Sequence, residues 1–205
     1  MKVLVGCEYS GTVRDAFIAL GHDAMSCDLL PTDKPGPHFQ GDVFEAIAMK
    51  DWDLAIFHPP CTYLSSSGLH WNKRVSGREE LTIEAVAFVK ALWNCSIPRV
   101  CIENPIGALS SRFMKPSQII QPWQFGSPES KATCLWVRGM PILKPTDILE
   151  KPESGRWNNQ TASGQNKLGP SPDRWKIRST TYPGIAAAMA SQWGIEKQES
   201  QLKLF

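Results

Sequence analysis

Apolar residues in the first half of the chain alternate between two spacings. KVLV, 2–5, is a short run of the kind a buried strand carries. GTVRDAFIAL, 11–20, places apolar side chains at 13, 16, 17 and 20, a helical spacing, and Gly21 follows as a stop. HDAMSCD reads as a second strand ending at Asp28, and Leu29 to Phe39 as a proline-rich loop. DLAIF, 53–57, is the next buried strand. Arg78 to Trp93 predicts an amphipathic helix with apolar positions at 81, 85, 88, 89 and 92. RVCIE, 99–103, and ATCLWV, 132–137, are further strands, the second flanked by shorter β-like runs. TYPGIAAAMASQW closes the folded part with an alanine-rich helix starting near Gly184. No internal repeat is visible.

Strands alternating with helices predict an α/β fold with a parallel sheet. The expected organisation is an α/β core over 1–137, a short basic irregular segment over 138–178, a helix over 179–195 that completes the core, and a flexible tail over 196–205. A chain of 205 residues is long enough for one sizeable core.

Composition narrows the class. Hydrophobic residues make up 42% and charged residues 20%, ordinary for a globular protein. No stretch approaches the length of a membrane span, and MKVLVGCEYSG shows no signal-peptide pattern, so the expected location is the cytoplasm. The six cysteines form no C-x-x-C pair, so no metal site is expected. Net charge is only +2, but the segment from Arg138 to Arg178 holds eight Lys/Arg against four acids. That segment is a candidate phosphate-facing surface, or a solvated loop.

Candidate chemistry gathers at predicted strand ends, where open α/β sheets bind ligands. GCEYSG, 6–11, joins the first strand to the first helix, and a helix N-terminus offers free amides there. It is not a G-x-G-x-x-G. Asp28 ends the second strand, where a ribose diol is usually held. Asp42 in GDVFEAI reads equally as a helix cap and as an acceptor for an adenine amino group. HPPCTYLSSSG, 58–68, sets two rigid prolines and a cysteine at the mouth of a strand. Alone, it reads more readily as a strand-ending turn with a half-buried thiol than as a nucleophile. Glu103, in IENP, is a carboxyl at another strand end. A cysteine and an acid beside an adenosine-type site point to attack on a pyrimidine ring.

These motifs in order resemble the DNA cytosine-5 methyltransferase family, in the compact form found in phage and mobile elements. PPCTYLSSSG at 59–68 matches its Pro-Pro-Cys loop, and ENPIG at 103–107 its Glu-Asn turn. FGSPESKATCLWV at 125–137 keeps the frame of a third motif, with Glu129, Lys131 and Thr133 in place of Gln, Arg and Arg. Lysine in place of a fork-shaped donor is not a conservative exchange. GCEYSG sets Glu8 and Tyr9 where the family prefers small residues. The resemblance implies a Rossmann-like S-adenosylmethionine-dependent sheet with helices on both faces and a very small target-recognition region. It implies S-adenosylmethionine as methyl donor and a cytosine flipped out of double-stranded DNA as substrate. Cys61 would attack carbon 6 and Glu103 would protonate N3, with Pro60, Asn104 and Lys131 positioning the base. Gly6, Glu8, Ser10, Gly11, Asp28, Asp42 and Pro59 would hold the cofactor. His70, Lys73, Arg74, Lys167, Arg174, Lys176 and Arg178 are the expected DNA contacts, His70 as a contact rather than a base. Other readings stay open: a sibling enzyme with an altered sulfonium donor or a free nucleotide substrate, a non-catalytic DNA-binding relative, or a nucleotide-binding α/β protein with an inert cysteine.

The chain is expected to act as a monomer. Its last five residues, Gln201, Leu202, Lys203, Leu204 and Phe205, resemble the peptide by which bacterial DNA enzymes hold the replication sliding clamp. The competing expectation is a frayed end.

Overall fold

Val3, Val5, Leu54 and Ile56 pack into one apolar cluster, and Leu4, Ala55 and Phe57 into a second on the opposite face of the same strands. Runs without polar alternation are buried on both sides, so both faces of a central sheet are covered. The computed structural model describes residues 1–164 and 166–195. In chain order the elements are β1 (Lys2–Gly6), α1 (Thr12–Ala19), β2 (Asp23–Asp28), β3 (His38–Gln40), α2 (Val43–Ala48), β4 (Leu54–Phe57), α3 (Ser66–Leu69), α4 (Arg78–Trp93), β5 (Val100–Pro105), α5 (Leu109–Arg112), β6 (Gln118–Ile120), β7 (Thr133–Arg138), α6 (Arg174–Ser179) and α7 (Pro183–Trp193).

The strands form one seven-stranded sheet in the order β3-β2-β1-β4-β5-β7-β6. The pairs from β3 to β5 are parallel. β7 is antiparallel to both β5 and β6. The result is a Rossmann-like, doubly wound sheet with one antiparallel strand inserted between β5 and β6. α1 and α7 cover one face, through Val13, Phe17, Ile185, Met189 and Trp193. α2 and α4 cover the other, through Val43, Ala46, Val86, Val89 and Leu92. Chain direction across the sheet reverses at β1, so the crevice outside the carboxyl ends of β1 and β4 is the topological switch point.

The predicted core elements are present with bounds shifted by a residue or two. β3 falls at the end of what reads as a proline-rich loop, and β6 is a three-residue edge strand. Three residues hold less than two periods of strand alternation, so neither leaves a clear pattern. The segment after Cys61 is more ordered than a loop: α3 runs into a 3-10 turn over His70–Lys73. Asn72 anchors that turn by donating to Glu79 and Thr82 of α4, at 2.8 Å each.

The proline-rich loop is held from inside. Arg14 on α1 is fully buried. Its guanidinium donates to Asp15, Ser26 and Thr32 and to the carbonyls of Lys34 and Pro35, at 2.8–3.3 Å. Gly11, the N-cap of α1, has φ 69°, and a Cβ there would lie 2.4 Å from the Arg14 guanidinium. Glycine is required on both counts.

The basic segment after β7 is largely irregular but docked. Trp157 is buried and stacks on Trp123 with ring centroids 5.8 Å apart. α6 then returns over the Gly6–Gly11 loop: Tyr9 donates its hydroxyl to the Lys176 carbonyl and packs its ring against Trp175. The tail over 196–205 and the clamp-like peptide lie outside the described residues.

Candidate active site

Cys61 lies just beyond β4, after His58, Pro59 and Pro60, and is exposed where the sequence predicts a half-buried thiol. Its carbonyl accepts from the amides of Leu64 and Ser65, which closes a tight turn. Buried Leu64 anchors that turn. The ENPIG stretch clasps it from β5. Ala108 N–H donates to the Leu64 carbonyl at 2.7 Å, and Ser66 N–H donates to the Ile106 carbonyl at 2.9 Å. A Cβ on Gly107 would sit 1.9 Å from the Leu64 carbonyl oxygen, so only glycine lets the two loops meet. Asn104 is buried and donates Nδ2–H to the Pro59 carbonyl at 2.8 Å. Stretches as far apart as Pro59 and Asn104, 45 residues in sequence, are thereby fastened into one site.

Glu103, on β5, keeps 16% of its side chain exposed. His58 donates Nδ1–H to Glu103 Oε2 at 3.1 Å. Burial pushes the Glu103 carboxyl up, but the His58 hydrogen bond and the Lys131 charge outweigh it, leaving it below its ordinary range. The Cys61 thiol is pushed up by desolvation and by the Glu103 charge, while Lys131 and Arg178 pull it down. Lys131 donates Nζ–H to the Arg178 carbonyl at 2.7 Å, which ties the end of α6 to the site.

A cavity of about 360 Å³ opens beside Cys61 at the carboxyl ends of β1 and β2. Asp28, Asp42 and Glu84 line it with three carboxylates, and Leu29, Tyr63 and Phe88 give it an apolar wall. Asp42 also caps α2, accepting from Phe44 N–H at 2.7 Å, so the capping carboxylate stands in the cavity wall. Cys7 lines the same cavity with φ 58°, a left-handed conformation uncommon outside glycine. Burial pushes the Cys27 thiol, also in the wall, up to about 12.

Several expected residues are placed elsewhere. Among the described residues, Gly6, Glu8, Ser10, Gly11 and Pro59 do not line the cavity. Glu8 is buried and accepts from Ser10 Oγ and from the amides of Val13 and Arg14. Those amides are free donors at the start of α1, and they hold the carboxylate in place of a ligand. Pro60 lies in the cavity wall.

The expected DNA contacts divide. His70 packs on Trp71, Arg74 lies over the same ring, and Lys73 is exposed beside them, all on one turn after Cys61. Lys176 pairs with Asp33 at 3.0 Å on the surface. Lys167 donates to the Asn158 carbonyl, and Arg174 to the Leu168 carbonyl. Arg178 acts on the Cys61 thiol. Sequence reasoning assigned nothing to His58, although it opens the Pro-Pro-Cys stretch. A polar ring at the end of an otherwise apolar strand was the available signal.

Among the described residues, no helix is long and apolar enough to cross a membrane, and no cluster of three or more His, Cys, Asp or Glu could hold a metal ion. No known protein family and no curated protein matches the chain. Among solved structures it resembles the Entamoeba histolytica methyltransferase EhMeth at 14% identity and a TM-score of 0.49. The alignment covers 73% of this chain and 57% of that one. A likeness so remote does not bear on activity. The fold and site themselves define a doubly wound α/β protein with a thiol, a carboxyl and a ligand-sized cavity at its switch point.

Proposed function

We propose that this protein transfers a methyl group from S-adenosylmethionine to carbon 5 of cytosine in double-stranded DNA, through a covalent adduct at Cys61. One observation carries the reading. Cys61 and Glu103 share a site clasped through Gly107, beside a cavity holding Asp28 and Asp42.

The donor set of the cavity fits an adenosine-type cofactor. Asp28 lies at the end of β2, where a carboxylate can hold a ribose diol. Asp42 can accept from an amino group, and Leu29, Tyr63 and Phe88 offer apolar surface for a flat ring. When bound, the sulfonium supplies an electrophilic methyl group.

The remaining chemistry belongs to the chain. Cys61 Sγ, as thiolate, forms a bond to C6 of the flipped base. Glu103, a carboxylate in the free protein, takes up a proton from solvent as the base enters and gives it to N3, which accepts the charge that develops during attack. The C5–C6 π pair is thereby released at C5 and takes the methyl group. Loss of the C5 proton to solvent re-forms the double bond and expels Cys61 as thiolate, and the N3 proton returns to Glu103. Lys131 and Arg178 favour the thiolate at the start and end of this cycle. Asn104 holds the Pro59 carbonyl and so the approach of the Cys61 loop.

A duplex carrying 5-fluorocytosine tests this directly, because fluorine at C5 cannot leave as a proton. With S-adenosylmethionine present, the wild-type chain is expected to gain the mass of the methylated duplex strand, and Cys61→Ser to gain none. Absence of any adduct from the wild type, together with no methylated cytosine in DNA from an expressing host that otherwise lacks it, would overturn the proposal.

A further inference from the structure

His58 stands between the two halves of the site. It follows β4 directly, and its backbone N–H donates to the Gly6 carbonyl at 2.9 Å, which fixes it at the β1–β4 switch point. Its side chain, 8% exposed, reaches across to β5 and Glu103 Oε2. The Glu103 carboxylate accepts no other hydrogen bond among the described residues, so its second oxygen is free for a ligand. His58 Nε2 is buried with no partner among the described residues. With Nδ1–H given to the carboxylate, a second proton at Nε2 would have nothing to donate to.

We propose that His58 is a positioning residue for Glu103: its Nδ1–H holds Oε2, presents the other oxygen to N3 of the base, and sets how readily that oxygen yields its proton. The inference rests on the cytosine reading above. As Cys61 Sγ bonds to C6, the proton passes from the free carboxyl oxygen to N3, and the carboxylate left behind is stabilised by the Nδ1–H already in place. His58 keeps its own proton throughout, and the transferred proton returns when Cys61 departs. A carboxyl prepared to become a carboxylate is the better acid in the transition state.

Lys131, ahead of β7, acts on Glu103, and Glu103 in turn raises the thiols of Cys61 on its loop, Cys101 on β5 and Cys134 on β7. Of these, Lys131 also favours the carboxylate. Nothing else hydrogen-bonds the carboxylate among the described residues, so His58 is the group that fixes its orientation.

The test uses the full chain labelled with 13C at glutamate carboxyls, followed by NMR across pH, with Glu103→Gln to assign the signal. Wild type, His58→Asn and His58→Phe are compared. Asparagine keeps an N–H donor at the Nδ1 position, and phenylalanine removes it. The Glu103 inflection is expected to move up by roughly one pH unit or more in His58→Phe, with His58→Asn in between. At saturating DNA and cofactor, kcat should fall at least about tenfold in His58→Phe and recover most of that in His58→Asn, with the cofactor KM unchanged. If the Phe variant does not fold, His58→Ala takes its place. An unchanged Glu103 inflection in all variants overturns the inference, as does a His58→Asn variant as slow as His58→Phe. The titration needs no substrate. A moved inflection in a protein that methylates nothing would sink the cytosine reading and leave the pair standing. The reverse result would sink the pair alone.

Discussion

At the scale of single residues, the Cys61 thiol and the Glu103 carboxyl are both raised by burial and both relieved by Lys131, and the proposed mechanism gives them opposite tasks. The Cys61 thiol is raised by desolvation and by Glu103 and relieved by two cations. Glu103 is raised by burial and brought down by His58 and Lys131. Cys61→Ser should abolish methyl transfer while DNA binding persists in a gel-shift assay, because a hydroxyl is a far weaker nucleophile at neutral pH. Glu103→Gln should lower kcat by several orders of magnitude and leave cofactor affinity within a few-fold, as for a group acting in the transition state. Asp28→Ala should do the reverse, which calorimetric titration of the cofactor would show. A collapse of cofactor affinity in Glu103→Gln would reassign that carboxyl to the cofactor.

At the scale of elements, the site depends on loops locked by close contact. Gly107 lets the turn after β5 rest on the Leu64 carbonyl. Gly107→Ala must move the Cys61 loop, so turnover should fall at least about tenfold while the far-UV spectrum stays intact; a 1 Å misplacement can cost about a hundredfold. Unchanged turnover would show that the loop is not set by this contact. Arg14 plays the corresponding part for the Leu29–Pro37 loop, next to the cavity wall. Arg14→Ala would strand a group of buried acceptors, and urea denaturation should report a loss of about 3 kcal/mol. Asp42 illustrates a residue serving two elements, since the carboxylate that caps α2 also lines the cavity.

At the scale of the whole molecule, charge is arranged differently from its order along the chain. Lys176 is paired with Asp33, and Arg178 acts on the Cys61 thiol. Lys73 and Arg74 are exposed on the turn after Cys61, and the methyl-transfer proposal would set them against phosphates. Neutralising both should flatten the slope of log affinity against log salt by roughly two, at about 0.9 per phosphate, and Lys176→Ala should change it by less than one. Stability carries a second signature. Glu103 has its folded-state carboxyl below the ordinary value, so its contribution is complete above the unfolded value and is lost as pH falls through the depressed one. Urea midpoints should therefore drop more steeply below about pH 5 in the wild type than in Glu103→Gln.

The sequence by itself determined the sheet and its alternation with helices. Runs such as KVLV and DLAIF can be buried only on both faces, and the helical stretches between them carry one apolar face each. It also marked Cys61, Glu103, Asp28 and Asp42, because strand ends are where such sheets bind ligands. The three-residue strands β3 and β6 escaped it, since pairing with neighbours rather than periodicity makes them strands. Tertiary structure alone decided the direction of the polar side chains. Glu8 turned to the amides of α1, Lys176 to Asp33, and His58 to Glu103. Each choice joins groups distant in the chain or competing for one donor, and local pattern holds no record of which partner is within reach.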